Sequence, residues 1–272
     1  MHPVCFKIGS LQIQWFGVML AAGFLAGLAS WTFLGKKEGR DFNFCSDLLF
    51  WIMVAGIVGA RLAYVISDFR AFMEQPVTIL YLHRGGLIYY GGFIGAGLAL
   101  GIFAAIHHER FLALVDFTIT AVPLTHFFGR IGCFINGCCH GREYSGMFSV
   151  TYPQGSLPWD SQFYQHRINA DAAYTLPVYP VQLFEALFNL FLYFFLVREY
   201  GRRKEDGRVT ALYLMIYPVG RFSLEFFRGD ERMRWAGGLS VAQVISLGLF
   251  AVGLSIWLFW RRERKPVPSG GS

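Results

Sequence analysis

The sequence predicts an all-α polytopic membrane protein with seven transmembrane helices, and three observations predict it. Of 272 residues, 54% are hydrophobic and only 15% charged, where a soluble domain carries about 25% charge. Seven windows approach the roughly 20 apolar residues that cross a bilayer as a helix. The short segments between them concentrate lysine and arginine on alternate sides, which is the bias that sets orientation.

In chain order the windows are 14–34 (QWFGVMLAAGFLAGLASWTFL), 46–66, 87–106 (LIYYGGFIGAGLALGIFAAI), 112–132, 181–197, 209–227 and 239–260. The first reads as a retained span, because no strongly basic start precedes it and no small-residue cleavage site follows. GKKEGR (35–40), HHER (107–110), REYGRRKEDGR (198–208) and RRERK (261–265) follow the first, third, fifth and seventh windows. All four then face the cytoplasm, with the N-terminus outside and the C-terminus inside. The net charge of +6 is thereby a topology signal and gives no footing for a nucleic-acid partner.

Residues 1–262 read as one transmembrane domain. Within it, 133–180 forms a periplasmic loop region long enough for a small subdomain or lid, and 263–272 is a flexible cytoplasmic tail. A long outer segment opposite short inner loops puts recognition on the outside. The outer loop 227–238, FRGDERMRWAGG, sets three arginines against two acids, to meet either lipid phosphates or solvent.

An ionisable side chain inside a span is costly, so it is read as functional together with its partner. The windows hold Arg61, Asp116, Arg130, Glu185, Arg221 and Glu225. Tyr217, Arg221 and Glu225 follow at i, i+4 and i+8, which puts them on one helix face. Arg221 and Glu225 could simply neutralise each other for insertion. Arg130 lies at a similar depth on another helix, however, and two guanidiniums at one level call for an anion. A phosphate fits, because the planar arginine fork binds its oxygens bidentately. Glu185 is either a pocket residue or an ion-pair partner, and Arg61 either a packing partner or a ligand contact. Asp116, near the cytoplasmic end of its window where snorkelling is easy, reads as structural.

The glycines of RGGLIYYGGFIGAGLALG (84–101) at 91, 95, 97 and 101 suit close helix approach. Gly85 and Gly86 read as a bend that leaves amides for a headgroup. Tyr89 and Tyr90 belong either to an aromatic belt or beside the arginines. Cys133, Cys138, Cys139 and His140 form C-x4-C-C-H, unlike common zinc spacings, and adjacent Cys138 and Cys139 are awkward co-ligands. We therefore expect no metal. A disulfide from Cys133 is an open alternative on an oxidising side, and small buried thiols packing a Gly-rich turn are the favoured state.

Gly129-Arg130-Ile131-Gly132, followed by Phe134, Asn136 and Gly141, resembles the signature of the bacterial prolipoprotein diacylglyceryl transferases, Gly-Arg-x-Gly-Asn-Phe-x-Asn-x-Glu-x-x-Gly. The likeness runs along nearly the whole chain. QWFGVML resembles the family's first-helix motif and GGLIYYGGFIGA its Gly-Gly-x-x-x-His-Gly-Gly segment. YPVQLFEALF resembles His-Pro-Ser-Gln-Leu-Tyr-Glu, and YPVGRFSLEFFRGD resembles Gly-x-x-Arg-x-x-x-Glu-x-x-Arg.

The resemblance implies an inner-membrane enzyme with its active site toward the periplasm. Such an enzyme moves the diacylglyceryl group of phosphatidylglycerol to the lipobox cysteine in the signal peptide of a prolipoprotein, working as a monomer with no cofactor. Arg130 and Arg221 would hold the phosphate. Glu225 would orient Arg221 or relay a proton. Tyr217, Gln182, Arg61, Gly141, Gly91 and Gly92 would contact substrate, and Tyr90 stands at the family's histidine position among the catalytic candidates. The chain departs from the pattern with Tyr90 for histidine, Cys133 for asparagine, Cys138 for glutamate and Phe16 for tyrosine. Phenols ionise only near about pH 10, so Tyr90 is a poor replacement base. The retained arginines and Glu225 point to retained activity. The competing readings are a paralogous lipid-modifying transferase with another acceptor, and a lipid-binding or transport protein without chemistry.

Overall fold

A computed structural model describes residues 4–9, 11–81, 85–229 and 238–263. Asp230, Glu231, Arg232 and Arg234 of the outer loop, Arg84, and the tail beyond residue 263 lie outside the described residues. The protein is mostly helical. One correction to the all-α expectation is an N-terminal hairpin, β1 (Val4–Ile8) paired antiparallel with β2 (Leu11–Gln14). LQIQ alternates apolar and polar residues, the period of a strand and not of a helix, and Gly9 at φ +59° turns the chain between it and VCFKI.

Among the described residues, six helical stretches are long and apolar enough to cross a membrane: Trp15–Glu38, Phe42–Ser67, Tyr89–Ile106, Phe111–Asn136, Val181–Tyr200 and Val241–Phe259. They contain α1 (Trp15–Gly35), α2 (Phe42–Ser67), α4 (Tyr89–Ile106), α5 (Phe111–Ile119), α6 (Val122–Asn136), α8 (Val181–Tyr200) and α10 (Val241–Glu263), with a short α3 (Phe69–Glu74) after α2. The remaining expected window forms α9 (Arg208–Glu225), which has Pro218 inside it. With Arg208, Arg221 and Glu225 in 18 residues, α9 is too polar to join the six on composition. The window 112–132 is broken between α5 and α6 at Thr120–Ala121, with Pro123 in the first turn of α6. Proline has no N–H to continue a preceding helix. Gly137 ends α6 in a left-handed cap at φ +81°.

The chain divides into two compact units, Leu28–Phe117 and Met1–Gly27 with Thr118–Ser272. In the first, α2 packs on α4 at backbone contact. A Cβ on Gly59 would sit 2.4 Å from Gly91 O, and one on Gly95 would sit 2.3 Å from Ala55 O. Gly91 and Gly92 therefore serve helix packing, whereas a Cβ on Gly97 would meet nothing within 4 Å and one on Gly101 only Phe111 at 3.9 Å. Arg61 donates to the carbonyls of Thr78 (2.6 Å), Ile79 (2.8 Å), Gly85 (2.8 Å) and Gly86 (3.0 Å). Between its two readings, these bonds favour the packing partner. The bend expected at Gly85 and Gly86 is present, at φ +82° and +77°. Asp116 does not snorkel: it is 0% exposed. Arg40, in the first basic loop, is likewise buried and ion-paired with Glu38 and Glu109, each at 2.8 Å.

In the second unit α6 packs on α8, α8 on α9 and α9 on α10. Gly220 lets α9 approach α8, since a Cβ there would meet the Phe188 ring at 2.3 Å. The segment 137–180 is ordered around α7 (Leu157–Tyr164) and isolated strand bridges. Its core is Tyr152, Trp159 and Val178. Gln162 is buried with them and holds the Leu176 backbone N–H at 2.8 Å.

Candidate active site

Three helices of the second unit each carry a polar stripe on an otherwise apolar surface. On α6, His126, Arg130 and Cys133 follow at i, i+4 and i+7. On α8, Gln182, Glu185 and Asn189 follow at i, i+3 and i+7, and on α9 the stripe is Tyr217, Arg221 and Glu225. Those spacings place each set on one face. Gln182, Glu185 and Asn189 are 1%, 1% and 0% exposed, so the face of α8 points wholly into protein.

The stripes meet as a charged cluster. Arg130 Nη2 lies 2.9 Å from Glu185 Oε1. The contact is an ion pair set off the hydrogen-bond angle, and Arg130 Nε is buried with no hydrogen-bond acceptor among the described residues. Arg221 Nη1 lies 2.7 Å from Glu225 Oε2, and Arg228 Nε lies 3.9 Å from the same oxygen. His126 joins the two halves. Its Nε2 is 3.7 Å from Glu185 Oε1, and its ring is 5.5 Å from that of Tyr217. Arg130, Arg221 and Arg228 against Glu185 and Glu225 leave one positive charge in excess among these five residues. A buried charge is costly unless it is paired, and an anion would offset the excess of this set.

The loop after α6 is fixed to the ends of α8 and α9. Gln182 Nε2 donates to Cys138 O at 2.9 Å and to the Tyr152 hydroxyl at 3.2 Å. Burial pushes the Tyr152 phenol up to about 12, so it stays a neutral hydrogen-bonding group. Gly141 N donates to Tyr179 O, Arg142 N to Phe227 O and Gly229 N to His140 O, at 2.9–3.1 Å. A Cβ on Gly141 would sit 2.4 Å from Tyr179 O. Its place in the motif is thus a matter of close backbone approach, which fixes where Arg228 emerges. The Sγ atoms of Cys133, Cys138 and Cys139 lie within 4.8 Å of one another, with all three cysteines free.

The expected residues fall into two groups. Arg130, Arg221, Glu225 and Tyr217 come together, and Arg221 with Glu225 also makes the internal pair. Gln182 was expected to line a headgroup site. It is 1% exposed with its amide hydrogen-bonded to the loop, so it braces the turn that holds the cysteines. Arg61, Tyr90, Gly91 and Gly92 belong to the other compact unit. There Tyr90 is 54% exposed in the first turn of α4, with its ring 5.8 Å from that of Tyr89. Sequence reasoning missed His126 and the pairing of Arg130 with Glu185. The signal for His126 was its position four residues before Arg130. The Arg130–Glu185 pair spans 55 residues of sequence (185 − 130) and left no local pattern.

Residues 3–259 match the family model described as prolipoprotein diacylglyceryl transferase. Three relatives bear the name phosphatidylglycerol–prolipoprotein diacylglyceryl transferase. That of Clostridium tetani is 31% identical over 257 residues, 94% of this chain and 97% of its own length. That of Dehalococcoides mccartyi is 32% identical over 266 residues, 97% and 95% of the two chains. That of Coxiella burnetii is 32% identical over 271 residues, 97% of each.

Proposed function

The chain belongs to the prolipoprotein diacylglyceryl transferase family, and on that premise we propose that it moves the diacylglyceryl group of phosphatidylglycerol to the lipobox cysteine of a prolipoprotein. The acceptor thiolate attacks the glyceryl carbon. A C–S bond forms as the C–O bond to phosphate breaks, and glycerol phosphate departs with the electron pair. Thiolate is the competent nucleophile, and it comes from the substrate.

The observation that carries this reading is the buried cluster in which Arg130 and His126 meet Glu185, while the His126 ring lies 5.5 Å from that of Tyr217 on the α9 face where Arg221 pairs with Glu225. The two guanidiniums hold the phosphodiester and stabilise the charge that grows on the leaving phosphate, where preorganised donors in a dry site act most strongly. Glu185 and Glu225 orient them, and Arg228 adds a third cation beside Glu225. Tyr217 lines the same space. His126, 27% exposed and 3.7 Å from Glu185, takes the proton from the acceptor thiol, a role that Tyr90 fills poorly. Arg61, by its four carbonyl bonds, holds the loop of its own unit.

We further propose that α9 is the seventh span and that the N-terminus lies outside and the C-terminus in the cytoplasm of the inner membrane. The active site then opens to the periplasm, and the chain works as a monomer in the bilayer. The alternation of basic loops supports that topology.

Complementation of a strain depleted of its own diacylglyceryl transferase tests the function. The wild-type chain rescues growth, while Arg130→Ala and Arg221→Ala, expressed at equal level in the membrane, do not. Equal rescue by all three removes the clamp from the mechanism, and no rescue by the wild type removes this acceptor. For His126, a pH–rate profile of His126→Gln loses its acid limb. A profile of unchanged shape assigns the proton elsewhere.

A further inference from the structure

The geometry points to a metal site at the three-cysteine cluster: we propose that Cys133, Cys138 and Cys139 together bind one thiophilic d10 ion, zinc or copper(I), through three thiolates. Spacing argued against this, because neighbouring Cys138 and Cys139 do not readily face one ion. The backbone removes that objection. Gly137 ends α6 with φ +81°, and Cys139 itself has φ +61°. A non-glycine residue in the left-handed region is uncommon, and it persists where its surroundings enforce it. The result is three Sγ atoms within 4.8 Å of one another, drawn from the last turn of α6 and the turn that follows. An ion with metal–sulfur bonds of about 2.3 Å holds its thiolates about 4 Å apart. A disulfide needs its sulfurs at about 2.05 Å, so the cluster is closer to coordination than to a covalent bridge.

The surroundings fit the same assignment. Three thiolates around a divalent ion carry a net charge of −1. Arg228 is held beside the turn by its bridge to Gly141 and by the Gly229 N–H donating to His140 O at 3.1 Å, and Arg130 lies one turn before Cys133 on α6. Outer N–H groups of this kind support metal-bound ligands. Gln182 Nε2 donates to the Cys138 carbonyl and is itself steadied by the Tyr152 hydroxyl, which accepts from the same amide, and this holds the turn in shape. Cys138 and Cys139 are partly exposed, giving an ion access. Soft sulfur ligands select copper(I) and zinc over calcium or magnesium. On binding, three thiols lose three protons to solvent and nothing is oxidised or reduced. This inference stands on the cysteine geometry and does not depend on the transferase reading.

Full-length protein in detergent, reduced and stripped with a chelator, is titrated with Cd2+ as a spectroscopic probe. The expected result is a thiolate-to-cadmium ultraviolet band that saturates at one equivalent, is reversed by chelator and is unchanged in a Cys5→Ser, Cys45→Ser double variant. Cys133→Ser and Cys139→Ser should each weaken binding by roughly 100-fold or more, beyond the 10–100-fold typical of groups that only support a ligand. The proposal is overturned if the wild type takes up no ion. It is overturned equally if the Cys139→Ser variant, eluting as a folded monodisperse species, saturates like the wild type. Thiol counting supplies a further arm that needs no variant: two of the five cysteines already joined in untreated protein would replace the metal with a disulfide.

Discussion

Arg61 and Arg130 are the same residue in much the same apolar setting, and the protein treats them differently. Arg61 is 7% exposed and finds four backbone carbonyls from the loop after α2, with Tyr64 and Phe72 rings near its guanidinium. Arg130 has one carboxylate, met off the hydrogen-bond angle, and a buried Nε with no acceptor among the described residues. A buried polar atom left unbonded costs about 1–3 kcal/mol, so a fold tolerates it where something else fills the need during function. An arginine whose acceptors are all supplied by its own chain staples a loop. An arginine left short of acceptors is poised for a ligand.

The comparison breaks or holds on paired alanine variants, which carry the largest expected effect. Arg130→Ala should lower kcat by about 10²–10³, the range for removing one preorganised charge-stabilising donor, with the melting temperature little changed. Arg61→Ala should do the reverse. Loss of even two of its four carbonyl contacts removes about 2–6 kcal/mol of stability at 1–3 kcal/mol each, while activity per folded molecule stays within a few fold. A thermal melt and an in vitro transfer assay on both proteins decide it. If Arg61→Ala keeps its melting temperature and loses activity, Arg61 is a ligand contact and the distinction fails.

A second pair sharpens the contrast between packing and chemistry at the glycines. Gly91→Ala places a methyl 2.3 Å from Ala63 Cβ and 2.4 Å from Gly59 O, so α2 and α4 must separate. Overpacking of this kind costs about 1–3 kcal/mol. Gly97→Ala, where nothing lies within 4 Å of the new methyl, should be neutral or slightly stabilising, since alanine is the better helix former by up to about 1 kcal/mol. Equal melting temperatures for the two variants would mean that the tight contact is not maintained in the membrane.

Hydrophobic windows and charge alternation made most of the fold readable, because a bilayer leaves few options for an apolar stretch of 20 residues. The hairpin of Val4–Gln14 escaped attention for its shortness, although the alternation of its second strand was in plain view. On the site, Arg130 and the Tyr217–Arg221–Glu225 face were legible because i, i+4 spacing is local. The pairing of Arg130 with Glu185 was not, since it depends on how α6 and α8 pack. Nor was the convergence of the thiols, which turns on one φ angle at Cys139. The burial of Asp116 was not legible, because depth in a window says where the Cα lies, while burial depends on neighbouring helices that the window does not contain.

The smallest effect is expected at a charge pair where both readings of an arginine are absent. Arg167 donates to Glu143 in the loop subdomain through Nε at 2.8 Å and also through Nη2, and both side chains meet solvent. The hydrogen bonds from Arg167 hold the Glu143 carboxyl below its ordinary value of 4.5. Because the folded value is depressed, the pair contributes stability above the unfolded carboxylate pKa, and that contribution disappears as pH falls through the lower folded value. Exposed pairs of this kind contribute little and are screened by salt. Glu143→Gln should therefore leave activity unchanged at neutral pH, lower the melting temperature slightly there, and melt with the wild type once the medium is acidic enough to protonate Glu143. A loss of activity in Glu143→Gln without that convergence at low pH would move Arg167 into the class of Arg130, as a cation held ready for a substrate.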